Sequence, residues 1–207
     1  MLTKLSNSGY KFKKKDVSPE TLQEIKKELT VSPYVPGNFG NNKETKFCLY
    51  MESPSKLYIP RFYGLEKLGI PHTDSLFPGD TIDVPFKGNL RPEQVPIENL
   101  YLQSANKIGG GLISLKCGGG KTVLALHIIS VLKCKTIVIV HKDFLMTQWR
   151  DRIQEFLPDA RIGKIQQSTI DIENKDIVLA MVQSLSMKEY PENTFSSFGL
   201  SVFDECH

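Results

Sequence analysis

The alternation of apolar and polar positions gives the chain two textures, and the clearer one begins at Leu90. Four apolar runs of strand length stand out there: LISL (112–115), TIVIV (136–140), IVLAM (177–181) and LSVFD (200–204). Uninterrupted apolar runs of this length are what strands covered on both faces require. The pattern KTVLALHIISVLK follows the first run and FLMTQWRDRIQEFL the second, both with helical periodicity. In the latter, Leu145, Trp149, Ile153 and Phe156 fall on one apolar face, which makes Trp149 a core residue rather than a stacking platform. LRPEQVPIENLYLQSANK predicts a further helix with both prolines near its start. Buried strands alternating with helices predict an α/β fold with a parallel sheet over residues 89–207.

Residues 1–88 read differently. Ten of the twelve prolines lie at or before Pro96. Residues 17–29 predict a short helix, with Pro19 in its first turn and Leu22, Ile25 and Leu29 at helical spacing. SPYVPGNFGNNKE reads as a loop. KFCLYMES and KLYIPRFYGL read as short strands joined by SPS, and the turn-rich DSLFPGDTIDVPF as the place of one more. These elements predict a small α+β N-terminal domain, an accessory unit for nucleic acid or a partner. Within 1–15, Lys4, Lys11, Lys13, Lys14 and Lys15 interleave with Tyr10 and Phe12 and no acid. A solvated tail is the favoured reading, and phosphate contact with base stacking the alternative. Tyr58, Arg61, Phe62 and Tyr63 suit either a nucleic-acid surface or a small core.

Charge adds one asymmetry. Residues 1–90 hold 13 Lys+Arg against 10 Asp+Glu, and the remainder hold 13 of each. All of the net +3 therefore sits in the N-terminal part. Cys48, Cys117, Cys134 and Cys206 form no C-x-x-C pair, so neither zinc nor disulfide staples are indicated and a reducing, intracellular compartment is expected. No signal-peptide core and no apolar run of about 18 residues is present. ENLYLQS (98–104) matches a processing-protease recognition site, but the helical pattern runs through it without a break.

Two motifs carry chemistry. In LISL-KCGGGKT, Gly118, Gly119 and Gly120 allow a tight turn and close approach of backbone to phosphate. Their N–H groups and the start of the following helix make an anion nest, with Cys117 as a small packing residue in the loop. Lys121 can reach β- and γ-phosphates, and the Thr122 hydroxyl can ligate Mg²⁺. The strict G-x-x-x-x-G-K-[ST] pattern has glycine where this chain has Leu115. In LSVF-DECH, Asp204 ends an apolar strand as a magnesium carboxylate would, and Glu205 follows as a candidate to orient or deprotonate water. A glycine-rich turn with a surface lysine, or a strand ending in solvated acids, is common by itself. Both in this order on one α/β pattern point to nucleoside triphosphate binding.

With these residues in hand, the stretch from about residue 90 to 207 resembles the superfamily 2 helicases and translocases of the DExH type. LKCGGGKT is similar to the first helicase motif, where residue 115 is often not glycine. Leu90-Arg91-Pro92-Glu93-Gln94 is similar to an upstream element in which Gln94 would recognise adenine. His141 and Lys142 after TIVIV, and Gln183 and Ser184 after IVLAM, match motifs that touch nucleic acid in the family. Read alone, Gln94 is also a helix-face polar residue, His141 and Lys142 solvated loop residues, and Gln183 and Ser184 helix caps. The nearest branch contains the large repair helicase subunit of transcription factor TFIIH and helicases of large DNA viruses.

The resemblance implies a RecA-like first helicase domain, ATP with Mg²⁺, and a nucleic-acid track, DNA favoured over RNA. It also implies transcription or repair machinery as partners, and His207 as the residue coupling the phosphate site to the track. Because the chain stops at the second motif, it is expected to lack the second domain and its arginine finger, and to bind ATP weakly and hydrolyse it negligibly. A duplex translocase that never separates strands, or a non-catalytic nucleic-acid-binding module, are the alternatives.

Overall fold

The computed structural model describes residues 1–32, 46–191 and 193–206. His207 and most of the loop expected at SPYVPGNFGNNKE lie outside them. The chain divides into two compact units, Met1–Leu76 and Phe77–His207. The sequence placed the division at residue 88. Residues 77–88 belong with the second unit because Ile82 and Val84 are buried in its core and Thr81 bridges Cys134.

In the first unit, β1 (Thr3–Ser6) and β2 (Gly9–Lys13) form a hairpin, followed by α1 (Pro19–Glu28). Short strands β3 (Thr30–Val31), β4 (Phe47–Cys48) and β5 (Met51–Glu52) precede β6 (Lys56–Ile59), α2 (Arg61–Leu68) and β7 (Thr73–Asp74). The main sheet has the order β5-β6-β2-β1-β7. Leu5, Tyr10, Phe12, Leu57 and Ile59 line its inner face and pack on Ile25 and Leu29. Tyr10 and Phe12 are thus core, which overturns the solvated-tail reading: strict alternation of apolar and lysine positions is a half-buried strand. RFYGL is helix, not the extension of a strand, because Pro60 caps the end of β6 and starts the new element. Gly64 lets α2 lie on the sheet, since a Cβ there would stand 2.3 Å from Cγ of Tyr10.

The second unit begins its regular structure with α3 (Val95–Ile108) and α4 (Lys121–Leu132). Then come β8 (Thr136–Val140), α5 (Asp143–Phe156), β9 (Ile162–Gln166), β10 (Thr169–Asp171), β11 (Ile177–Met181), α6 (Val182–Ser186) and β12 (Leu200–Phe203). The sheet order is β10-β9-β11-β8-β12, parallel except for β10. One face packs Val138, Val140, Ile177 and Leu179 against Leu126, Ile129, Trp149 and Ile153 of α4 and α5. The other packs Ile137, Ile139, Val178 and Ala180 with Leu185 and Phe198. Both faces are covered, which is why β8 and β11 read as uninterrupted apolar runs.

One expectation is corrected, and one hairpin lies where no element is expected. LISL forms no strand: residues 110–116 are without regular structure and Leu112 is 79% exposed. Four residues set between Gly109-Gly110-Gly111 and Gly118-Gly119-Gly120 hold strand geometry only through a ladder partner, and no described strand pairs with them. The hairpin β9–β10 escaped the sequence reading because Gly163, Lys164 and Gln166 break its apolar run. Among the described residues, no helix is long and apolar enough to cross a membrane.

The start of β9 is tied to the start of β11 by one carboxylate. Asp176 accepts from the backbone N–H of Arg161 at 2.8 Å and from its Nε and Nη2 at 2.9 and 2.6 Å. The Arg161 hydrogen bonds hold the Asp176 carboxyl below its ordinary range. Its contribution is therefore present above about pH 4 and lost as pH falls through the lowered value. Asp176→Asn is expected to cost about 2 kcal/mol at neutral pH, the guanidinium being partly exposed. Urea unfolding at pH 7 and near pH 3 should show that difference narrowing in acid; an equal difference at both would contradict the assignment.

Candidate phosphate site

The site is built at the C-terminal ends of the parallel strands, where chain direction changes and polar groups collect. Gly120 caps α4 with a left-handed φ of 76°, and Gly118 has φ 74°. A Cβ on Gly120 would lie 2.5 Å from Nε2 of Gln94, so this position is glycine for space as well as for angle. Lys121 and Thr122 then open the first turn of α4. The first N–H groups of a helix have no intrahelical partner, and beside a glycine loop they can form an anion nest.

Two residues of the upstream element hold the loop from behind. Gln94 is 2% exposed. Its Nε2 donates to the carbonyls of Gly119 and Gly120 at 3.1 and 3.2 Å, and its Oε1 accepts from the backbone N–H of Arg91 at 2.9 Å. Arg91 Nη1 donates to the carbonyl of Gly118 at 3.2 Å. All three loop carbonyls are thus taken from one side. The helix that follows these residues, α3, is fixed to α4 by Glu98, whose Oε1 lies 2.6 Å from Nδ1 of His127, with Phe86 edge-on to the His127 ring. Glu98 is 7% exposed, so the ENLYLQS stretch is an integral part of the fold.

Across the loop stands the end of β12. Parallel pairing with β8 brings Phe203 opposite Ile139, and the N–H of Asp204 donates to the carbonyl of Ile139 at 3.1 Å. Oδ2 of Asp204 accepts from the indole Nε1 of Trp149 at 2.8 Å. Trp149 is core, as expected, but its N–H is also the handle that orients this carboxylate. Glu205 takes a left-handed φ of 55°, rare for a residue with a Cβ. That turn sends its carboxylate to Lys121, Nζ to Oε1 at 3.4 Å. The two motifs, 83 residues apart in sequence, therefore meet side chain to side chain.

The remaining candidates gather along the same edge. His141 and Lys142 follow β8, and Gln183 and Ser184 follow β11, which pairs with β8 in register. Gln183 Nε2 donates to the carbonyl of His141 at 3.0 Å and is exposed, as is Lys142. Ser184 is buried, its Oγ accepting from the N–H of Gln167 at 2.9 Å. Its side chain faces the fold and holds the β9–β10 turn. Cys117 is exposed in the loop rather than buried as a packing residue would be. Arg91 belongs to the upstream motif, and its tie to Gly118, 27 residues on, has no periodic signal in the sequence.

Residues 87–207 match the family model described as "Type III restriction enzyme, res subunit". A candidate ATP-dependent RNA helicase of Acanthamoeba polyphaga mimivirus is 34% identical, over 99% of this chain and 40% of that protein. A candidate helicase of Invertebrate iridescent virus 6 is 26% identical, over 93% of this chain and 43% of that protein. A candidate ATP-dependent RNA helicase of African swine fever virus is 31% identical, over 56% of this chain and 23% of that protein. The chain spans less than half the length of these relatives. Among solved structures, a Sulfolobus solfataricus SWI2/SNF2 ATPase core domain aligns at TM-score 0.49 and 22% identity, covering 63% of this chain and 28% of that one. With its matched region covering more than half of the sequence, the chain belongs to the Type III restriction enzyme res-subunit family of helicase domains, in the branch that holds helicases of large DNA viruses.

Proposed function

We propose that this chain is the ATP-binding part of an ATP-dependent nucleic-acid helicase or translocase that works inside the cell. The observation that carries the reading is the approach of Lys121 to Glu205 at 3.4 Å. It brings the glycine loop and the acidic strand end together, as two motifs that share one triphosphate would require. The pair is partly exposed on both sides, 41% and 34% for the two side chains. Such a pair is worth under about 1 kcal/mol, so Lys121 can leave Glu205 for the β- and γ-phosphates at little cost.

The residues present suit a Mg²⁺-bound nucleotide: one hydroxyl, Thr122, and one carboxylate, Asp204, leave the remaining positions to phosphate and water, as that ion prefers. When bound, Mg²⁺ would neutralise charge developing on the transferred phosphoryl group. Glu205 would orient the attacking water and take its proton. Gln94 would read adenine, and its present bonds to Gly119 and Gly120 would make the loop responsive to that contact. Lys142, His141 and Gln183 would face the nucleic-acid backbone, with Ser184 supporting them from within. His207 keeps the coupling role that the resemblance implies. Robust hydrolysis would need an arginine from a further domain, worth roughly 10³–10⁵ in rate. DNA is favoured as the track on the resemblance to the repair-linked branch, with transcription or repair machinery as partners.

Anisotropy of a fluorescent ATP analogue tests the nucleotide site on this chain. Weak Mg²⁺-dependent binding is expected, reduced at least tenfold in Lys121→Ala; equal binding by the variant would reject the site. A second prediction concerns Trp149, the chain's single tryptophan. If its N–H holds Asp204 for the metal, Mg-ATP should shift its intrinsic fluorescence. Trp149→Phe should raise the Mg²⁺ needed for nucleotide binding about tenfold, the worth of one hydrogen bond to a charged group, and leave Mg²⁺-free binding unchanged. An unaltered Mg²⁺ requirement would show that the indole only fills space.

A further inference from the structure

The open face of the β5-β6-β2-β1-β7 sheet carries a pattern that packing does not explain. Register sets its layout. Lys4 stands opposite Lys11, Lys11 opposite Tyr58, and Tyr58 opposite Met51; in the next row, Lys13 stands opposite Lys56. The alternate residues Leu5, Tyr10, Phe12, Leu57 and Ile59 line the apolar core with α1 and α2. The lysines and Tyr58 therefore share the face turned away from the helices. Lys4 with Lys11, and Lys13 with Lys56, are like charges directly across the ladder, an arrangement that weakens a sheet.

Among the described residues, no carboxylate relieves them. β1, β2 and β6 contain no acid. The carboxylates of Glu52 and Glu28 are engaged by Lys14, Lys26 and Lys67. Among the described residues, none of the four lysines on this face forms an ion pair. Lys11 Nζ instead lies 5.8 Å from the centre of the Tyr58 ring. A polyanion would turn this repulsion into attraction by neutralising all four charges at once. The ring of Tyr58, next to Lys11 in the row, offers a flat apolar surface of the kind on which unpaired bases stack.

The geometry points to a single-stranded nucleic-acid-binding face made by Lys4, Lys11, Lys13, Lys56 and Tyr58. It stands on the first unit's own geometry and does not depend on the nucleotide site, so it should bind without ATP or Mg²⁺. The test is anisotropy of a short labelled oligonucleotide with the 207-residue chain, without nucleotide, across a salt series. Single-stranded DNA, single-stranded RNA and duplex DNA form the arms.

Changing all four lysines to Gln should weaken single-strand binding at least tenfold and lower the slope of log affinity against log salt by about 3. Tyr58→Leu should weaken it about tenfold with the slope unchanged. Lys67→Gln, whose lysine is paired with Glu28, should bind like the parent. Thermal melting accompanies each variant, and the fourfold change should melt no lower than the parent because it removes repulsion. Should that variant fail to fold, Lys11→Gln alone carries the test, with a slope change of about 0.7. Parental affinity and slope in a folded lysine variant, or no binding by the parent, would overturn the proposal. Tighter binding of duplex with no effect of Tyr58→Leu would overturn the single-strand assignment.

Discussion

The ladder that joins β8 to β11 on one side and to β12 on the other is the constraint from which the site follows. All three strands run parallel and in register, Ile139 facing Ala180 and Phe203 across the two junctions. Parallel strands covered on both faces, as β8 and β11 are, favour apolar side chains along their length. Polar and charged residues are therefore displaced to the strand ends. At the C-terminal ends that displacement collects His141, Lys142, Gln183, Asp204 and Glu205 along one edge. The polar character of that edge is a consequence of burial elsewhere.

Position alone does not aim a side chain, and three polar ties finish the arrangement. Gln94 and Arg91 draw the carbonyls of Gly118, Gly119 and Gly120 to one side. The indole N–H of Trp149 turns the Asp204 carboxylate. The left-handed turn at Glu205 brings its carboxylate to Lys121. Gln94 and Trp149 make their ties from buried positions, whereas Arg91 and Glu205 make theirs from the surface. The first unit shows the opposite balance: its sheet keeps two like-charge lysine pairs on an open face, at some loss of stability.

How much of this was legible in the sequence depends on the range of the signal. The buried runs 136–140 and 177–181, the helices after them and the two phosphate motifs were readable because their periodicity and spacing are local. Trp149 was readable as core for the same reason, while its bond to Asp204, 55 residues away, was not. LISL misled because an apolar run states what can be buried, not whether a ladder partner exists. The lysines of 1–15 misled in the other direction. Charge drew the eye to a tail, whereas the alternation of Lys11, Phe12 and Lys13 is that of a strand with one wet face. Ser184 sits in a motif that suggested nucleic acid, yet burial decided its role, and burial is set by the turn that Gln167 begins.

We propose that Lys121 and Glu205 flank a nucleotide site coupled to nucleic acid. The measurement that tests it most directly is the ATPase rate of a longer chain, of the length of the viral relatives. It would be taken alone and with single-stranded DNA, duplex DNA and RNA, beside Glu205→Gln in the same background. Hydrolysis stimulated by one of these and lost in Glu205→Gln, with nucleotide binding kept, is the expected result, and the stimulating arm would name the track. Absence of hydrolysis in every arm, or stimulation that survives Glu205→Gln, would contradict it.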